Sequence, residues 1–141
     1  MGNFYILVGD KRTSKIAFTK NVWGFTKKTI KLWDAVEKGD NVCFYITKPI
    51  KKIVGFGKIE EKFESTEIFW PDEILFKKIL WPYRLEFRPI IVINNWSEGL
   101  DPPPKVILNQ GRKKIKEDVF AELLIQGEEK WKVNLKELKS F

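Results

Sequence analysis

The segment Asn41–Phe63 reads NVCFYITKPIKKIVGFGKIEEKF and contains two strand patterns joined by a proline-containing turn. Side chains alternate between two faces from Val42 to Thr47, which predicts a half-buried strand. The second pattern, Ile53–Phe63, places Gly55 and Gly57 on one face, so we expect a bulge there or a close approach to the backbone. These paired patterns predict a sheet-based fold.

Further elements are predicted on both sides of this segment. Strands are expected at Phe4–Val8, which a Gly9-Asp10 turn ends, and at Tyr83–Ile93, where Pro89 implies an edge position or a bulge. Apolar spacing and turn residues predict helices at Thr29–Val36, Pro71–Lys78 and Glu117–Ile125. Trp131, Leu135 and Leu138 suggest a last short helix.

The remaining segments carry weaker patterns. Residues 11–28 are interpreted as a loop with room for one short helix, Asp101–Pro104 as a rigid connector, and Lys105–Leu108 as compatible with a short strand. The 141 residues fit one domain, 1–141. About five strands with short helices predict an α+β fold, a small mixed β-barrel with short flanking helices.

The composition excludes several kinds of active site. The chain has no histidine and one cysteine, Cys43, which removes Ser-His and Cys-His nucleophile pairs, imidazole ligands and thiolate zinc sites. There is no tight acidic cluster either, so we expect no metal, no cofactor and no catalysis, although Asp, Glu, Lys or Tyr chemistry stays open. No apolar run is long enough for a membrane span and no signal peptide is evident, so we expect no membrane contact and a cytoplasmic location.

The charge favours a polyanionic partner. The net charge is +7, and the stretch from Lys11 to Lys31 holds seven basic residues and no acidic one. The alternative is a lysine-rich surface on a protein from a thermophile, which the scarcity of glutamine and cysteine also fits.

Six tryptophans in a chain of this size exceed what a core requires. Trp33 lies on the apolar face of its predicted helix and is expected in the core, and Trp96 and Trp131 are expected to pack. The others fall outside clear core patterns. In a basic chain, surplus tryptophan favours stacking of nucleic-acid bases on aromatic faces.

Four strings together resemble an EVE domain of the PUA-like superfamily, which is related to YTH domains. They are NVWGFTKK (21–28), VEKGDNVCFYI (36–46), IVGFGKIEEKFE (53–64) and ILWPYRLEFRPI (79–90), within a resemblance that spans about residues 3–125. The chain is also similar to the N-terminal module of archaeal McrB-type restriction proteins. That resemblance implies a restriction-modification role and a fused or associated motor and nuclease.

The resemblance implies a reader of a modified base, most specifically 6-methyladenine in DNA, that flips the base into an aromatic cage. It places Trp23 and the Gly24 backbone in the cage, with Trp70 as a second wall and Leu80 or Trp81 as a third. Thr13 and Ser14 stand where YTH domains carry an Asn. The phosphate-binding residues would be Lys11, Arg12, Lys15, Lys20, Lys27, Lys28, Arg112, Lys113 and Lys114.

Two other functions stay open. One is a general RNA-binding PUA-like module without selectivity for a modified base. The other is an enzyme of related fold acting on nucleotides or RNA, which the lack of histidine disfavours. A concave pocket walled by Trp23 and Trp70 beside a basic surface favours the reader, whereas a flat basic face with both rings buried favours the general module.

Overall fold

The computed structural model describes residues 2–108 and 111–139. The strands are β1 (Phe4–Gly9), β2 (Val22–Phe25), β3 (Asn41–Ile46), β4 (Lys52–Glu64), β5 (Tyr83–Val92) and β6 (Gly111–Ile115). The helices are α1 (Lys11–Lys20), α2 (Ile30–Ala35), α3 (Pro71–Phe76) and α4 (Glu117–Trp131). Short 3₁₀ turns occupy Lys27–Thr29, Trp96–Glu98 and Lys136–Leu138.

The strands form one curled, mixed six-stranded sheet in the order β2-β5-β4-β3-β1-β6. β1 and β3 are parallel, and the other neighbouring strands are antiparallel. The curl brings the two edge strands together. A Cβ at Gly111 of β6 would lie 3.5 Å from Phe25 of β2, and 2.8 Å from Leu32 of α2. The predicted α+β fold, a small mixed barrel with short flanking helices, is confirmed.

Each face of the sheet buries its own apolar core. On β1, Phe4, Ile6 and Val8 face α4, whereas Tyr5 and Leu7 face the side of α1. Cys43 lies on the α4 side, where burial raises the pKa of its thiol well above the usual range. The sheet therefore separates a core under α4 from one that reaches α1 and several tryptophans.

The segment interpreted as a loop contains two elements that the sequence did not indicate clearly. Asp10 caps α1 by accepting from the Thr13 N–H at 2.7 Å, and Asn21 ends the helix in a left-handed conformation with φ 59°. β2 then pairs with β5. No helical apolar stripe announces α1, because only Ser14 and Ala17 are fully buried on it.

One other prediction needs correction and one is confirmed. Residues 105–108 form no strand, and the sixth strand is β6, which follows them. The expected irregularity near Gly55 and Pro89 is present, since the β4–β5 register shifts between Phe56 and Gly57. A Cβ at Gly55 would lie 2.3 Å from the Ile91 oxygen, so glycine is required there. Among the described residues, no helix is long and apolar enough to cross a membrane.

Candidate functional site

A small cavity lies between α1, β2 and the two segments that flank α3. Its volume is about 30 Å³. The lining residues come from the end of β1, from α1, from β2 and from both sides of α3: Gly9, Thr13, Ser14, Ala17, Trp23, Gly24, Trp70 and Trp81. We call it the tryptophan pocket. It brings together six of the seven residues predicted for a base pocket.

The three indole rings differ in burial. Trp23 and Trp70 are 3% and 2% exposed, whereas Trp81 is half-buried. The Trp70 and Trp81 ring centroids are 5.2 Å apart at 61°, and the Trp70 Nε1–H donates to the Thr13 carbonyl at 3.2 Å. Trp23 packs at 5.4 Å from the Phe44 ring in the core. Trp23 and Trp70 are thus core residues that also present a face to the pocket.

Gly24 lets the rings meet the backbone of β2. A Cβ at this position would lie 2.6 Å from Trp70 Cη2 and 2.7 Å from Trp81 Cβ. Both distances are shorter than real Cβ contacts, so any side chain here would push the two rings apart. Glycine at residue 24 is therefore part of the pocket geometry.

Glu73, the third residue of α3, holds the two wall segments. Its Oε1 accepts from the backbone N–H groups of Phe69 and Trp70 at 2.9 and 3.1 Å. Its Oε2 accepts from those of Leu80 and Trp81 at 3.0 and 3.1 Å. One fully buried carboxylate therefore fixes the backbone on which both Trp70 and Trp81 stand.

Arg84 supplies the charge that balances Glu73. Its Nη2 lies 3.4 Å from Glu73 Oε1, and the guanidinium also donates to the Trp81 and Glu67 carbonyls. Its Cζ lies 5.1 Å from the Trp70 ring centroid. Burial lowers the pKa of Arg84, while Glu73 and Glu67 oppose that shift. An arginine remains charged under these conditions, so the pair is ionic.

The two hydroxyl groups in the pocket are not equivalent. Thr13 Oγ1 donates to Asp10 Oδ1 at 2.8 Å and so completes the cap of α1. Ser14 is 2% exposed, and its Oγ has no hydrogen-bond partner among the described residues. A buried hydroxyl without a partner is costly, so Ser14 is the polar group that a ligand would satisfy.

Leu80 is placed beside the pocket rather than in its lining. Its backbone N–H binds Glu73, and the adjacent Trp81 provides the third wall. The sequence had left open which of these two adjacent residues forms the third wall.

The predicted phosphate-binding residues fall into two groups. Six of them lie on α1 or the 3₁₀ turn after β2, and all six are exposed: Lys11, Arg12, Lys15, Lys20, Lys27 and Lys28. Arg12 forms an ion pair with Asp72 at 2.9 Å, and Lys20 Nζ lies 5.7 Å from the Phe69 ring centroid. All six therefore lie on or directly after an element that lines the tryptophan pocket.

The second group does not form one cluster. Arg112 and Lys114 pair with Leu7 and Tyr5 and share their face of the sheet, whereas Lys113 pairs with Ile6 on the α4 side. The Arg112 Nε–H donates to the Leu32 carbonyl at 3.0 Å, and its Cζ lies 4.8 Å from the Tyr5 ring centroid. Arg112 therefore helps to close the sheet, and strand alternation separates it from Lys113.

Trp33 departs from its expected position, whereas Trp131 packs as expected. Trp33 is half-buried at the margin of the core, where it donates to the Arg84 carbonyl at 2.9 Å, so the expectation of a core residue is wrong. Trp131 packs against Phe56 and donates to the Glu98 carbonyl at 2.8 Å, as a packing residue would. Sequence reasoning missed Glu73 and Arg84, although a glutamate at the third position of a helix is a known capping signal.

By sequence, the chain matches no protein-family model and no curated protein. By structure, it is similar to the YTH domain-containing protein mmi1 in complex with RNA, at TM-score 0.61 and 16% identity, over 94% of this chain and 87% of that one. A YTH domain of Zygosaccharomyces rouxii MRB1, in complex with N6-methyladenosine RNA, matches at TM-score 0.57 and 14% identity, over 89% and 86%.

A third similar structure is an ASCH protein of Zymomonas mobilis, at TM-score 0.55 and 15% identity, over 88% of this chain and 96% of that one. The chain therefore has the fold shared by YTH and ASCH domains, a small PUA-like fold.

Proposed function

We propose that this chain is a non-catalytic nucleic-acid-binding module that holds a flipped, modified base in the tryptophan pocket. The observation that carries the proposal is a pocket with three indole walls and one unpaired buried hydroxyl, Ser14, next to the basic helix α1. The fold supports it, because similar YTH domains are described in complex with RNA and, in one case, with N6-methyladenosine RNA.

Entry of a base requires the pocket to widen. Its volume of about 30 Å³ is close to that of one water molecule, and a purine is several times larger. Trp81 is the wall suited to move, because its side chain is half-buried. Glu73 and Arg84 hold its backbone, so the ring would move by rotation of the side chain. Trp23 and Trp70 are packed into the core and would stay in place.

The chemistry of the pocket suits a methylated adenine. A methyl group on the exocyclic amine adds apolar surface without a new hydrogen-bond donor, and indole faces complement it. A pocket of this kind distinguishes one methylene by about 1–3 kcal/mol. The Ser14 hydroxyl would donate to a ring nitrogen of the base. We therefore propose 6-methyladenine as the modified base, with a preference of tens to about a hundred-fold.

The pocket contains no group that would act as a general base. The chain has no histidine, and the nearby carboxylate of Glu73 already accepts four backbone N–H groups and faces Arg84. Within residues 2–108 and 111–139, no cluster of acidic or cysteine side chains is arranged to hold a metal ion. These features support binding without catalysis.

We further propose that the natural partner is methylated DNA, and that the chain acts in the cytoplasm as a single EVE-like module with an attached or associated motor and nuclease. The motor and the nuclease follow from the resemblance to McrB-type proteins.

A second candidate is binding of RNA without selectivity for a modified base. The small pocket volume and the deep burial of Trp23 and Trp70 favour it. In that case the basic surface of α1 would carry the affinity, and the pocket would remain closed.

A binding panel separates the two. Oligonucleotides of one sequence would be compared as DNA and RNA, single- and double-stranded, with adenine, 6-methyladenine or 5-methylcytosine at one position. A reader binds one modified form at least ten-fold more tightly than its unmodified counterpart. Equal affinity for all bases would support the general module instead.

A further inference from the structure

A second, larger concavity is lined by a different set of α1 residues from those in the tryptophan pocket. Its volume is about 600 Å³. It is lined by one face of α1 and by residues 92–97, which continue from β5 into a 3₁₀ turn, with Ile50 at one side. We call it the α1 groove. Its lining residues are Lys11, Lys15, Phe18, Ile50, Val92, Ile93, Asn94, Asn95, Trp96 and Ser97.

The groove combines positive charge with one free side-chain amide. Lys11 and Lys15 are exposed on α1, and none of its lining residues is acidic. Asn94 is exposed, and its side-chain amide forms no hydrogen bond within the described part of the chain. Asn95, in contrast, is used locally, since its Oδ1 accepts from the Ser97 hydroxyl at 2.6 Å. Asn94 is thus available to a ligand.

The floor of the groove is aromatic. Phe18 and Trp96 are half-buried, with ring centroids 5.9 Å apart at 80°. Phe18 also lies 5.7 Å from Trp23, a wall of the tryptophan pocket. A continuous series of rings, Trp96–Phe18–Trp23, therefore passes beneath α1 and joins the two concavities.

One helix forms a wall of both sites. Ser14 and Ala17 of α1 line the tryptophan pocket, and Lys11, Lys15 and Phe18 line the groove. Lys11 and Lys15 are exposed on the groove side of this helix. Ammonium groups, an amide and a partly exposed indole are the groups that bind phosphate, base edge and base face.

We propose that the α1 groove binds a nucleotide that flanks the base held in the tryptophan pocket, on a single-stranded segment. Its phosphate contacts Lys11 and Lys15, its base stacks on Trp96, and Asn94 donates to or accepts from the base edge. This rests on the proposed function, because it places the groove ligand on the same strand as the flipped base. It assigns to Trp96 a binding role beyond packing.

The test compares a ligand that has a flanking nucleotide with one that has none. The probes are a nine-nucleotide single strand with one central 6-methyladenine, its unmethylated counterpart, and free 6-methyladenosine nucleoside. The variant is Lys15→Ala combined with Asn94→Ala, two exposed side chains without hydrogen-bond partners in the described chain. Lys136→Ala, an exposed lysine beyond α4, is the matched charge control.

The double variant, Lys15→Ala with Asn94→Ala, should bind both nine-nucleotide strands about ten-fold more weakly. The ratio of its two dissociation constants and its affinity for the nucleoside should be unchanged. The Lys136 variant should match the wild type. Trp96→Ala should act in the same direction if its melting temperature shows that it is folded.

Wild-type affinity of the double variant for the nine-nucleotide strands would overturn the inference. So would an equal loss for the nucleoside, because that would place the effect in the pocket. If the wild-type chain shows no preference for 6-methyladenine but the double variant still weakens strand binding, the proposed base selectivity fails while the groove remains a nucleotide site.

Discussion

Arg84 Nη2 lies 3.4 Å from Glu73 Oε1, and the two side chains are 5% and 0% exposed. This buried ion pair stands directly behind the tryptophan pocket and ties its walls together: Glu73 binds the backbone of Trp70 and Trp81, and Arg84 binds the Trp81 carbonyl and lies over the Trp70 ring. The pocket geometry therefore depends on two residues that contact the lining tryptophans but do not line the cavity themselves.

Replacing Glu73 by Gln should destabilise the domain by about 3–5 kcal/mol, because Arg84 would lose its buried partner. An amide would also turn an NH₂ group toward backbone N–H donors. Urea unfolding measures the effect. Glu60→Gln is the control: it removes an exposed ion pair to Arg88 and should cost about 0–1 kcal/mol. Equal unfolding free energies for both variants would show that Glu73 does not organise the walls.

Alanine variants of the three pocket tryptophans should differ in stability. Trp23→Ala and Trp70→Ala should each cost about 3–5 kcal/mol, because both rings are buried in the core. Trp81→Ala should cost less, because that ring is half-buried. Thermal melting of the three variants checks the order, and a Trp81 variant that melts as low as the other two would contradict the assignment of Trp81 as the movable wall.

Ser14→Ala should change stability and binding in different directions. The free chain should be as stable as the wild type or slightly more stable, because a buried hydroxyl without a partner is removed. Affinity for the modified base should fall by about 0.5–1.5 kcal/mol, the usual net contribution of one hydrogen bond. Thermal melting measures the stability of the variant, and fluorescence anisotropy of a labelled oligonucleotide measures its affinity. A clear loss of stability would mean that the hydroxyl already has a structural role.

The exposed lysines after β2 should contribute to affinity through phosphate contacts. Reversing Lys27 and Lys28 to Glu should weaken binding of methylated and unmethylated strands alike. It should also reduce the slope of log affinity against log salt by about 0.7–0.9 for each lost contact. Lys132→Glu, an exposed change just after α4, should leave the slope unchanged. If the slope is unchanged in the Lys27 and Lys28 variant, these lysines are solvated and do not contact phosphates.

Apolar patterns and turn residues in the sequence were sufficient to predict β1, β3, β4 and β5, because each of these strands buries at least one face. They were insufficient for α1 and β2. α1 buries little of its surface, and β2 is four residues long. The order of the strands depends on pairings between distant segments such as β1 and β6, which local patterns do not encode.

Some residues of the pocket could likewise be predicted from the sequence, and others could not. The family resemblance indicated Trp23, Gly24, Trp70 and Trp81, and the structure brings them together. It did not indicate Glu73 and Arg84, whose partners are mostly backbone groups, and the capping position of Glu73 was the one sequence signal for this pair. It also grouped Arg112 with Lys113, although neighbouring residues of a strand point to opposite faces.

The central claim is that a modified base is selected in the tryptophan pocket, and the ratio of two dissociation constants tests it most directly. For oligonucleotides with adenine or 6-methyladenine at one position, the wild-type chain should prefer the methylated form by tens to about a hundred-fold. Folded Trp81→Ala should reduce this ratio toward one, while Trp131→Ala on the opposite face of the sheet should retain it. A wild-type ratio of one, or an unchanged ratio in folded Trp81→Ala, would contradict the account.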